Sequence, residues 1–162
     1  MKFEESIAHG FHKGMMQLEG KWKGTNRVWF EPDHPIDTAS ISGTFTSILG
    51  GRFLEWQYTS AFQDTPIEGK MLFGLYLKLS TYELNWVDTF HTGTFMMYAS
   101  GNVQDNVFNA TGHYVAGENN EQTWGWRTTL EIISNTEIII RAYNITPEGE
   151  EQLALQYDLK RV

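Results

Sequence analysis

An all-β fold, about ten antiparallel strands in an up-and-down barrel behind a short N-terminal helix, is what this sequence predicts. Three observations predict it. From Gly20 to Val162 the chain is almost unbroken strand pattern. Turn-like clusters cut that stretch into segments at the roughly 8–12-residue spacing of sandwiches and barrels. Most connections are about two to five residues, the hairpin range, and a meander of so many strands tends to curl and close.

Residues 3–18 form the helical candidate. Phe3, Ile7, Phe11 and Leu18 fall near one face with Met15 beside them. Gly10 and Gly14 each weaken that helix by about 1 kcal/mol relative to Ala, so it needs packing to survive. A short amphipathic helix leading into a barrel is expected to plug one open end.

Strands are expected at 21–30, 38–48, 52–62, 68–79, 82–90, 94–103, 107–115, 122–133, 137–145 and 151–161. The first break, Glu31-Pro32-Asp33-His34-Pro35, holds two prolines that forbid ladder pairing. The next breaks are Gly50-Gly51, Gln63-Asp64-Thr65-Pro66, Ser80-Thr81 and Thr92-Gly93. Asp105-Asn106, Gly117-Glu118-Asn119-Asn120, Ser134-Asn135 and Pro147-Glu148-Gly149 complete the set, all of them turn chemistry. Segments show little self-similarity and no linker divides them. Residues 1–162 therefore read as a single domain, helix at about 3–18 and barrel at about 20–161.

Composition narrows the function classes. A net charge of −8 repels phosphate backbones, which argues against a nucleic-acid partner. The chain has no cysteine, so disulfides, thiol catalysis and cysteine-bound metals are excluded, and a reducing cytoplasm fits. Residues 1–10 carry Glu4 and Glu5 and no apolar run, unlike a secretory signal. No stretch approaches the roughly 18 apolar residues of a membrane helix. A soluble cytoplasmic protein without membrane contact is expected.

Alternation assigns faces. Leu153, Leu155, Tyr157 and Leu159 alternate with Gln152, Gln156, Asp158 and Lys160. Met71, Phe73, Leu75, Leu77 and Leu79 oppose Lys70, Tyr76 and Lys78. Between 82 and 90 the inward set is Tyr82, Leu84, Trp86, Asp88 and Phe90. Asp88 is the odd member, because a carboxylate on an apolar face must be paired, protonated or wet. Solvation at the strand end near Thr92-Gly93 is the plain alternative. Trp22, Gly24, Asn26 and Val28 look inward, which turns Trp29 outward. Surface aromatics such as Trp29 leave an apolar patch that suits a homo-oligomer. In 122–133 two assignments stay open: Trp124, Trp126, Thr128 and Leu130 inward, or Gly125, Arg127, Thr129 and Glu131.

Gly20-Lys21-Trp22-Lys23-Gly24, Leu49-Gly50-Gly51-Arg52-Phe53 and Trp86-Val87-Asp88, in that order and spacing, resemble one bacterial family. It is a domain of unknown function, the one numbered fifteen seventy-nine, and the likeness runs from about Leu18 to Lys160-Arg161. The resemblance implies a calycin-like barrel, related in fold to lipocalins, fatty-acid-binding proteins and nitrobindins. It also marks Trp86, Asp88 and Arg127 as cavity candidates. Where the family has a Gly-Tyr-Asp-like step, this chain reads Gly74-Leu75-Tyr76, without the acid. Nitrobindin-like barrels hold haem through an inward histidine on a late strand. The last two strands here have none, and His113 shares an outward-looking face with Asn109 and Thr111.

For metals, His9 and His12 lie three apart with Glu5 four before His9, a spacing that can place three ligands on one face. The segment is polar and flexible, so neither metal nor other cofactor is expected. His34 in a proline turn and His91 at a hairpin tip suggest solvated roles. No Gly-x-Ser-x-Gly elbow, phosphate-cradling glycine loop or His-Glu-x-x-His helix is present.

These readings converge on a barrel whose interior binds a small, largely apolar molecule, lined by Trp22, Asn26, Trp86, Asp88, Arg127 and Tyr157. One alternative is an enzyme acting on a small carboxylated or aromatic substrate with Asp88, Arg127 and Tyr157 around it. Another is a non-catalytic, filled barrel acting through an oligomer interface. An Asp88–Arg127 pair that merely fixes barrel register explains the same charges.

Overall fold

The computed structural model describes residues 1–104 and 107–162, so the expected turn at Asp105-Asn106 lies outside the described residues. The strands are β1 (Gly20–Val28), β2 (Asp37–Ile48), β3 (Phe53–Phe62), β4 (Thr65–Tyr76) and β5 (Thr81–Asp88). They continue as β6 (Met97–Asn102), β7 (Phe108–Ala116), β8 (Gln122–Ser134), β9 (Glu137–Ile145) and β10 (Glu151–Arg161). Each pairs antiparallel with the next, and β1 pairs with β10, from Trp22 opposite Arg161 to Val28 opposite Leu155. The result is a closed ten-strand meander. Closure satisfies every strand edge, which an open sheet of this length would leave bare.

The N-terminal segment differs from the single helix expected. It is two helices, α1 (Phe3–His9) and α2 (Phe11–Met16), broken at Gly10, which takes extended dihedrals of φ −109° and ψ −154°. The break lets both short helices fold over one barrel end. Met15 and Leu18 join the core there, and Phe11 packs on Tyr82 and Phe108 with ring centroids 5.4 Å and 6.5 Å away. It also puts His9 and His12 on different helices, which removes the shared face a metal would use.

The boundaries of β4 and the end of β5 moved for local reasons. The β3–β4 turn is only Gln63-Asp64, at φ 46° and 65°, the left-handed pair that suits a two-residue hairpin. Thr65 and Pro66 therefore belong to β4, which stops at Tyr76. Leu77 and Leu79 then fall in the following turn, not inside the barrel, and Leu79 is 64% exposed. β5 likewise stops at Asp88, so Phe90 leaves the inward set.

The inner face is filled by rings. Phe45 stacks on Trp56 at 4.4 Å, Trp56 on Tyr58 at 5.9 Å, and Tyr58 tilts against Tyr157 at 5.6 Å. Leu155, Tyr157 and Leu159 face inward as the alternation predicts, but a bulge between Leu153 and Leu155 leaves Leu153 half-buried. In β8 hydrophobicity decides the open choice. Trp126, Thr128 and Leu130 are buried, and Arg127 points outward.

Candidate functional site

The barrel end opposite the helices carries the 29–36, 89–96, 117–121 and 146–150 connections, and there the ring packing gives way to a cavity. It measures about 380 Å³ and is walled by Trp86 and Trp126, whose rings stack at 5.4 Å. Phe95, Met97, Tyr114 and Val115 complete the apolar wall, while His91 and Thr92 enter from the β5–β6 connection. Depressions of comparable or larger size, such as one of about 440 Å³ over Gly43, are more open troughs on strand surfaces. A mostly apolar pocket with few convergent polar groups is the form small-molecule sites usually take.

Asp88 organises the polar side of this cavity. It ends β5 on the inner face and its carboxylate has no exposed surface. Oδ1 accepts the backbone N–H groups of Phe90 (3.1 Å), His91 and Thr92 (3.0 Å). The Asp88 N–H in turn donates to Thr92 Oγ1 at 2.7 Å. An aspartate whose side chain mimics a turn in this way fixes the loop that follows it. Oδ2 meets His91 Nδ1 at 2.7 Å and accepts the Tyr58 hydroxyl at 3.2 Å.

Tyr58 reaches Asp88 because of what lies between them. Across three adjacent strands Tyr58 pairs with Gly69, and Gly69 with Asp88. Without a side chain at Gly69 the phenol crosses β4 and also accepts Trp86 Nε1–H at 2.9 Å. Trp86, Tyr58, Asp88 and His91 thus form one hydrogen-bonded chain from core to cavity wall.

Electrostatics follow from this wiring. Burial works to raise the Asp88 carboxyl, but the His91 hydrogen bond and charge, with the Thr92 and His91 amides, outweigh it and hold it below its ordinary value. Burial pushes the Tyr58 and Tyr157 phenols well up. An ionised Asp88 only accepts, so a proton on His91 Nδ1 points at it and Nε2 faces away from the carboxylate. Among the described residues Nε2 makes no hydrogen bond. The imidazole packs against both indoles, 5.1 Å from Trp86 and 5.8 Å from Trp126.

Of the six residues singled out from sequence, the structure brings Trp86 and Asp88 together here and sets Tyr157 just behind them against Tyr58. Trp22 belongs to the helix-covered end, where its Nε1 donates to Leu18 O at 2.8 Å. Asn26 is buried and donates to Ser60 Oγ at 3.1 Å. Arg127 does not meet Asp88. It lies on the outer face, its Nε donating to Glu151 at 2.8 Å and its guanidinium 4.2 Å from the Tyr143 ring centroid. The reason is parity: with Trp126 and Thr128 inside, the residue between them must face out.

His91, Tyr58, Tyr114 and Trp126 carry the rest of the site. His91 reads from sequence as a solvated hairpin tip because nothing local announces that it folds back. The available signal was Asp88 followed by Thr92 four positions later, a loop-capping spacing. Tyr58 alternates with Leu54 and Trp56, but its partner across Gly69 is visible only in register.

Comparison with curated proteins finds no match to the chain. The family described as "Protein of unknown function (DUF1579)" matches residues 8–161, covering both the helix-capped end and the cavity. The chain belongs to that family.

Proposed function

We propose that this protein is a binding barrel that takes one small, largely apolar molecule into the end cavity rather than along the filled barrel axis. The observation that carries this reading is the aromatic-walled space of about 380 Å³ at the end the helices leave uncovered. Burying a planar ring against Trp86, Trp126 and Met97 removes apolar surface from water at about 25 cal/mol per Å². A cysteine-free, acidic chain supports a cytoplasmic setting for this role.

Quenching of tryptophan fluorescence by the methyl ether of naphthol tests the reading. Saturable quenching is expected for the wild type and its loss for Met97→Trp, which puts a bulkier ring on the buried cavity wall. No binding by the wild type, or equal binding by a folded Met97→Trp, would overturn it.

A second reading, association of copies of this chain, is supported by the rim of the same end. Phe62 bridges Phe30 at 5.7 Å and Phe90 at 4.5 Å, and Phe30, Phe90, Phe95 and Met96 are exposed. Native mass spectrometry measures subunit number and retained ligand together. A monomer at all concentrations would remove this second reading.

A further inference from the structure

The Asp88–His91 pair narrows the chemical class of the occupant. An Asp–His contact that only ties down a loop needs one ring nitrogen, and Nδ1 serves it. The geometry here commits more than that. The imidazole packs against both indole rings, its second nitrogen is unengaged among the described residues, and the residue lines the cavity. Thr92 Oγ1 is occupied, since it donates to Asp88 O at 3.1 Å and accepts the Asp88 N–H. Tyr114 donates its hydroxyl to Asn144 Oδ1 at 2.6 Å. His91 Nε2 is therefore the ring nitrogen on the cavity wall with no internal claim on it.

We propose that the cavity selects planar weak acids, an aromatic ring bearing an acidic O–H, with that O–H bound by His91 Nε2. This rests on the end cavity being the binding site. The ring lies against Trp86 and Trp126, and the O–H donates to the imidazole lone pair. If the proton moves, the ligand O–H bond breaks and an Nε2–H bond forms. The ligand oxygen keeps the electron pair, and the imidazolium is neutralised from behind by the Asp88 carboxylate. A cation finds no carboxylate on the wall, because the one nearby is buried and fully subscribed.

Calorimetric titration with naphthol and its methyl ether separates this proposal from the binding reading beneath it. The wild type is expected to bind naphthol about ten-fold or more tightly than the ether, the value of a buried hydrogen bond to a polar group. His91→Phe keeps a ring against the tryptophans and is expected to bring that ratio to about one. A readout without a variant is the nitrogen resonances of the wild-type imidazole, which naphthol should shift at Nε2 and the ether should not. Equal binding of the two ligands, or an unchanged ratio in His91→Phe, overturns the weak-acid selection while leaving cavity binding intact. Binding of neither overturns both.

Discussion

A Cβ added to Gly69 would lie 2.3 Å from the Tyr58 hydroxyl oxygen, so the bare backbone of β4 is the passage by which Tyr58 reaches Asp88. No flexible side-chain end can yield there, because the phenol is held by Asp88 and Trp86 at once. Gly69→Ala is expected to destabilise the protein by about 1–3 kcal/mol through overpacking. The urea midpoint measures it, and a variant as stable as the wild type would mean that Tyr58 does not cross β4 at this point.

Asp88 and Arg127 are energetically independent in this structure, since they sit on opposite faces of the barrel wall. Asp88→Ala leaves buried donors and His91 without their acceptor and is expected to cost about 3–5 kcal/mol. Arg127→Ala removes only a half-exposed ion pair with Glu151 and is expected to cost about 0–1 kcal/mol. Their double-mutant cycle is expected to be additive to within about 0.5 kcal/mol. Strong coupling would contradict their placement on opposite faces.

Acid is expected to act on the two ends in sequence. His12 is buried, with Nδ1 2.7 Å from Ser6 Oγ and its ring edge-on to Phe3 and Phe11. Burial holds it below its ordinary value, so its folded form prefers to be neutral. That stability is present above the unfolded value of about 6.5 and is lost as pH falls below it. The helix-covered end should loosen first, and His12→Asn should flatten the slope of stability in mild acid. Asp88, also depressed, is expected to contribute fully until pH falls below about 3.9. A slope in mild acid that survives in His12→Asn would assign it to another group.

Base acts through the phenols. Tyr58 and Tyr157 are raised by burial, so their stabilisation is complete below about pH 10 and fades as pH climbs above that value. Phenolate absorbance is expected to show at least two tyrosines that ionise only together with unfolding. Smooth ionisation of all seven in the folded protein would contradict their burial.

Much of this molecule is settled by periodicity alone. A run of Leu155, Tyr157 and Leu159 between polar residues can bury itself only as a strand, and hairpin-length connections leave a meander few ways to close. The same rule makes Asp88 conspicuous, a carboxylate in an apolar series. Tertiary structure decided what local pattern cannot encode. Arg127 faces out because its neighbours Trp126 and Thr128 gain more by burial, a competition that alternation states but does not resolve. The single helix became two because covering a round barrel end needs a bend, and Gly10 accepts it. His91 joined the site because a buried carboxylate draws in every donor within reach, and its reach was fixed by where β5 ended. Register, not sequence distance, put Tyr58, Gly69 and Asp88 in one row, since cross-strand partners are chosen by closure of the whole barrel.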